Sequence, residues 1–156
     1  MLKTFPKMML NVENGLTLKS KAKPILGYSD TSTVKLDFDG KKYRVVKYWA
    51  KRICMFFKLQ GFRILKSSPN NYHVVFNRSV SWTENLHIMN WAVLMVEGKQ
   101  LRPLTRYVVM QAIKESSCLR IGKKKEKPVP RTVFEFGEQS NEIKNYLIFW
   151  RMCRKF

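Results

Sequence analysis

The segment from Thr33 to Phe76 restricts the fold more than any other part of the chain. It begins with a short apolar run that ends in two alternate carboxylates, Val34-Lys35-Leu36-Asp37-Phe38-Asp39-Gly40. It closes with Ser67-Ser68-Pro69-Asn70-Asn71-Tyr72-His73-Val74-Val75-Phe76. One helix-length stretch lies between, so the unit is predicted to run strand, helix, strand, turn, strand. Side chains two apart on a strand share a face, so Asp37 and Asp39 are expected to emerge side by side where the strand stops. Adjacent carboxylates repel each other unless a cation sits with them. An Asp-Gly step is also common in hairpin turns, which gives the pair a plain structural alternative.

Within this unit, Lys42 to Gln60 is predicted as a helix. Val45, Trp49, Ile53 and Phe56/Phe57 would form its inner face and Arg44, Lys47, Lys51, Arg52 and Lys58 its outer face. Gly61 is placed to stop it. Phe62 to Lys66 and Tyr72 to Asn77 are expected as strands joined by a Ser/Pro/Asn turn. Ser81 and Glu84 have capping-box spacing at the start of a helix reaching about Glu97, ended by Gly98. Pro103 opens another helix to about Ser116, with Leu104, Val108, Ala112 and Ile113 inward.

Leu119 to Gly122 and Thr132 to Phe136 are expected as strands around a basic loop, Lys123 to Pro130, and a last helix is expected from about Ser140 to Arg154. Residues 1–32 are expected to form a basic N-terminal arm, with Met8 to Val12 and Gly15 to Leu18 as possible short strands, and residues 33–156 a single domain. The expected class is α/β, an α+β sandwich whose small, mostly antiparallel sheet is packed by helices. Neither GxGxxG nor GxxxxGKS/T occurs, so a Rossmann or Walker nucleotide site is not supported.

Charge narrows the partners. Among 156 residues there are 30 Lys+Arg and 11 Asp+Glu, a formal net charge of +19. A field of that sign points to polyanions, nucleic acid before an acidic membrane surface. Apolar runs fall short of the ~18 residues of a membrane helix, so no membrane partner and a soluble, intracellular (cytoplasmic) protein are expected. Cys54, Cys118 and Cys153 are widely spaced in apolar runs and read as buried free thiols.

His73 is one of two histidines; His87 falls within a predicted helix and reads as incidental. A strand histidine is commonly a hydrogen-bonded core residue, yet this one follows a Ser/Asn-rich turn where it would be able to grip a phosphate. With no His-hydrophobe-His pair, the replication nucleases that hold a metal on such a pair are not matched.

Taken together, the Asp37-Phe38-Asp39 strand, the helix, and Gly61-Phe-Arg-Ile-Leu-Lys-Ser-Ser-Pro-Asn-Asn-Tyr-His-Val-Val-Phe76 resemble the catalytic core of archaeo-eukaryotic primases and the related primase-polymerases of plasmids and viruses. The resemblance spans about Val34 to Val133. It implies an RRM-like, primase-like sheet. It also implies Asp37 and Asp39 as metal-binding catalytic carboxylates, and Ser67, Ser68, Asn71 and His73 as contacts to the incoming nucleotide's phosphates, with His73 counted among the catalytic residues. Cys118-Leu119-Arg120-Ile121-Gly122-Lys123 is similar to the family's segment in which an arginine and a lysine approach phosphates, which assigns that role to Arg120 and Lys123. Glu115 is the nearest match to the family's third acid and Glu135 the second. The glycine usual in the second motif is replaced around Pro69-Asn70-Asn71, where asparagine still tolerates a left-handed turn.

The expectation that follows is a minimal nucleotidyltransferase of DNA replication. Mg²⁺ or Mn²⁺ would be its cofactor. DNA or RNA, nucleoside triphosphates and other replication proteins would be its partners. Arg44, Lys47, Lys51, Lys124, Lys125 and Lys127 are the expected nucleic-acid contacts. The alternatives are a non-catalytic DNA/RNA-binding protein on the same scaffold and, behind it, a metal-dependent nuclease. Charge alone does not choose among them.

Overall fold

The computed structural model describes residues 27–98, 102–124 and 126–139. In chain order the elements are β1 (Gly27–Asp30), β2 (Thr33–Phe38), α1 (Tyr43–Phe56), β3 (Gly61–Ser68), β4 (Asn71–Ser79), α2 (Trp82–Glu97), α3 (Pro103–Lys114), β5 (Ser117–Arg120) and β6 (Arg131–Gly137). Four strands form an antiparallel sheet in the order β2-β4-β3-β6, and β1 pairs with β5 separately. The expected α+β sandwich with a mostly antiparallel sheet is the observed architecture.

Strand alternation explains the layers. Val34, Leu36 and Phe38 of β2, Tyr72, Val74 and Phe76 of β4, and Phe62 and Ile64 of β3 all turn to one face. There they bury against Val46, Ala50, Ile53 and Cys54 of α1, Ile88, Met89 and Ala92 of α2, and Leu104 and Val108 of α3. Burial of this apolar surface drives the assembly, at roughly 25 cal/mol per Å². The intervening residues Lys35, Asp37, Leu65, His73 and Val75 therefore turn to the other face.

The β1/β5 pair is fastened to that second face through Lys35, which is fully buried. Its Nζ lies 2.8 Å from Asp30 Oδ2, 3.2 Å from Ser117 Oγ and 5.0 Å from the centre of the Tyr28 ring. Burial lowers the lysine pKa, and the Asp30 carboxylate opposes that shift. Asn85 of α2 donates to the carbonyls of Thr31 and Thr33, which ties that helix to the start of β2. Since β1 is part of this packing, the N-terminal arm expected over 1–32 gives up Gly27–Asp30 to the fold. The short strands considered near Met8 and Gly15, and the last helix, lie outside the described residues.

Helix ends follow local chemistry. Ser81 Oγ accepts from the Glu84 N–H at 3.1 Å, as the capping pattern predicts. The Glu84 carboxylate does not return the bond; it pairs with Arg78 instead. Gly98 ends α2 at φ +62, and Pro103 occupies the first turn of α3. The faces of α1 differ from expectation. Val46, Ala50, Ile53 and Cys54 are inside, while Val45 and Phe56 are exposed. On α3, Gln111 is buried and Ile113 is 71% exposed, because the Gln111 amide satisfies the Cys118 N–H at 2.8 Å.

Candidate active site on the second sheet face

Asp37 and His73 are directly paired across β2 and β4. Opposed residues on antiparallel neighbours project to one face, so the two side chains meet even though they are far apart in sequence. His73 Nε2 lies 3.7 Å from Asp37 Oδ1. That is beyond hydrogen-bond reach. Asp37 Oδ1 and His73 Nδ1 are both buried with no hydrogen-bond partner among the described residues. The rest of the aspartate keeps an opening, its side chain being 26% exposed.

Burial, with the neighbouring Asp39 second, pushes the Asp37 pKa up to about 7, against the pull of Arg120, Lys127 and Lys124. Burial, with Arg120 and Lys127 behind it, pushes His73 down to about 3. The imidazole is therefore neutral near pH 7, and the contact is not an ion pair. A half-titrated carboxylate beside a second one is a place where a cation would be stabilised.

The turn that precedes His73 is held to the turn that follows Asp37 by one amide. Asn71 Oδ1 accepts from the Gly40 N–H at 2.8 Å, and Asn71 Nδ2 donates to Ser68 Oγ at 2.6 Å. A backbone bond from Lys41 N–H to Asn70 O runs beside it. Asn70 adopts φ +55, the left-handed conformation anticipated for a turn without glycine. Ser67 Oγ donates to Asn71 O at 3.2 Å. Ser67, Ser68 and Asn71 are thus engaged in building the turn, which limits what they offer to a phosphate.

Arg120 also holds the structure together. Its Nη1 donates to the carbonyls of Gly122 and Pro128, and its Nη2 donates to Ser67 O at 3.2 Å. These bonds draw the basic loop against β3, and the charge still acts on Asp37 and His73. Within the loop, Lys124 and Lys127 exchange backbone hydrogen bonds, and both reach Asp37 electrostatically. Lys123 is exposed, and Lys125 lies outside the described residues. A cavity of about 220 Å³ lies beside the β3–β4 turn, lined by Lys66, Ser67, Ser68, Pro69, Pro128, Val129 and Arg131. Lys66 and Arg131 are lining cations that sequence reasoning missed; their register pairing on β3 and β6 brings them together.

The third acid is not brought in. Glu115 is exposed in a left-handed conformation at the end of α3, and Glu135 is tied to Arg63 at 2.8 Å. Among the described residues, no group of three His, Cys, Asp or Glu side chains is gathered for a metal. Asp37 and Asp39 still suit a Mg²⁺ or Mn²⁺ held by two carboxylates and completed by water and substrate phosphates. The unpartnered Asp37 Oδ1 is consistent with that donor set.

Two of the expected nucleic-acid contacts on α1 are engaged elsewhere. Lys47 Nζ lies 4.0 Å from the centre of the Phe134 ring, and Lys51 Nζ 5.1 Å from that of Phe136. Arg44 is exposed. His87 is exposed on α2. No helix among the described residues is long and apolar enough to cross a membrane. No protein-family model, curated protein or solved structure matches the chain.

Proposed function

We propose that the chain is a minimal primase-polymerase-like nucleotidyltransferase acting on a nucleic-acid template. The observation that carries this reading is the register pairing of Asp37 with His73 beneath a loop whose cations act on both. Asp37 and Asp39 would hold Mg²⁺ or Mn²⁺, which when bound supplies positive charge to the transferring phosphoryl group. His73, kept neutral, offers a hydrogen bond to a phosphate oxygen without a competing proton. Lys124 and Lys127 neutralise phosphate charge from the loop, and Arg120 fixes that loop at a set height over β3. Positioning and electrostatics suffice for such a reaction, so no strongly basic side chain is needed.

A second reading is favoured by one observation, the absence of a third carboxylate at Asp37 among the described residues. On that reading the same surface binds DNA or RNA without chemistry.

Primer extension with labelled nucleotide and Mn²⁺ tests the choice. Incorporation by the parent protein that is lost in the Asp37→Ala/Asp39→Ala variant supports the enzyme. Salt-sensitive DNA binding without incorporation by the parent supports the binder. Metal-dependent cleavage of the labelled strand would replace both with a nuclease.

A further inference from the structure

Arg44, Tyr48, Arg52 and Phe56 recur every fourth residue along α1, and all four are exposed. Side chains four apart on a helix stand one above another, so they make a single ridge about 18 Å long that alternates cation and aromatic ring. The rings are well exposed, Tyr48 at 52% and Phe56 at 65%. The ridge is already ordered. Arg52 Nη1 donates to Tyr48 OH at 2.9 Å, with its guanidinium 5.6 Å from the centre of that ring. Phe56 stacks on Trp91 of α2 at 4.9 Å and 19°.

We infer that this ridge is a docking track for single-stranded nucleic acid, with bases stacking on Tyr48 and Phe56 and phosphates meeting Arg44 and Arg52. It stands on the helical layer, on the other side of the sheet from Asp37, and does not depend on catalysis there. Three features select this occupant. The ridge carries Arg44 and Arg52, and the helix has no Asp or Glu between Tyr43 and Phe56, so its surface complements a polyanion. Exposed ring faces alternating with cations suit unpaired bases, whose faces are free, and not a duplex, whose bases are already stacked. Met55, Leu94 and Met95 extend the apolar border. A second copy of the chain seated there would bring the same cations against each other.

The test measures anisotropy of labelled oligodeoxythymidine, and of a duplex of equal length, with the full chain over a salt series. The expected result is that Tyr48→Ala and Phe56→Ala each weaken single-strand binding about fivefold or more and leave duplex binding unchanged. Phe56→Leu, which keeps apolar cover over Trp91 while removing the ring, is expected to reproduce the loss and so separates stacking from folding. Arg44→Gln/Arg52→Gln should lower the single-strand salt slope by about 1.4. The inference does not rest on nucleotidyl transfer: a parent that incorporates no nucleotide but loses single-strand affinity in these variants still supports the track. Parental single-strand affinity in the Tyr48→Ala/Phe56→Leu variant overturns the inference, as does a parent that prefers duplex. If that variant instead loses self-association in sedimentation and keeps oligonucleotide affinity, the ridge is a protein interface and the inference fails.

Discussion

Asp37 and His73 face each other at one position of the sheet and titrate in opposite directions from their ordinary values, the acid upward to about 7 and the imidazole downward to about 3. For Asp37 the folded state holds its proton more tightly than the unfolded chain, so its contribution to stability is present at low pH and declines from about pH 4 to about 7. For His73 the unfolded chain holds the proton more tightly, so its contribution is lost in acid and recovers from about pH 3 to about 6.5. Between about pH 4 and 6.5 the two slopes oppose. Denaturation across this window should show His73→Gln losing stability, relative to the parent, as pH rises. Asp37→Asn should gain stability relative to the parent over the same interval. Parallel profiles for all three proteins would refute the coupling of burial to titration at this pair.

Breaking the Lys35 fastening should be costly. Lys35→Met leaves Asp30 and the Ser117 hydroxyl without the buried ammonium, and loss of one partner of a buried pair typically costs about 3–5 kcal/mol. Asp30→Asn/Lys35→Met is expected to recover part of that loss. Urea unfolding of the single and double variants measures it, and a single variant within ~1 kcal/mol of the parent would contradict the assignment.

Gly61 and Gly137 pair across β3 and β6 at closest approach. A methyl on Gly61 would come within 2.2 Å of Glu138 O, and one on Gly137 within 2.1 Å of Gln60 O. Gly61→Ala is therefore expected to destabilise by about 1–3 kcal/mol or more through forced separation of the strands. Gly40→Ala meets open space at φ +69, so only the left-handed backbone penalty of about 1–2 kcal/mol is expected there. Thermal melts of the two variants should rank them in that order.

Asn71→Asp keeps the acceptor for the Gly40 N–H and removes the donor to Ser68. Asn71→Ala removes both. A stepwise loss of about 0.5–1.5 kcal/mol per bond is expected, with the alanine variant the less stable. If Asn71 binds nucleotide directly and leaves the turn unaffected, nucleotide affinity will fall in Asn71→Ala without this stepwise loss of stability.

Much of this arrangement was legible in the sequence because alternation and turn chemistry are local. The alternation through Leu36, Asp37 and Phe38 announced which residues leave the core, although the strand ends at Phe38 and Asp39 stands in the turn that follows; Asn70 accepted the left-handed turn, and Ser81 and Pro103 marked helix starts. The inner face of α1 differs from the sequence expectation because Val45 and Phe56 are as apolar as Val46 and Cys54. Hydrophobicity alone therefore left the helix rotation open by about one residue, roughly 100°. The burial of Lys35 was not legible, since a strand lysine usually marks a solvent face. Its partners Asp30 and Ser117 belong to other strands, brought near only by tertiary packing. For the same reason Arg120, picked out as a phosphate contact, turned out to be bonded to three carbonyls.

The pairing of β2 with β4 makes the site a matter of odd and even. A slip of β2 by one residue against β4 would swap the two sets of side chains, sending Leu36 and Phe38 to the face that now holds His73 and turning Asp37 into the oil of the helical layer. β2 already absorbs one irregularity of register between Thr33 and Lys35, so length variation among descendants of this chain should be excluded from Lys35 to Phe38 and tolerated in the loops on either side.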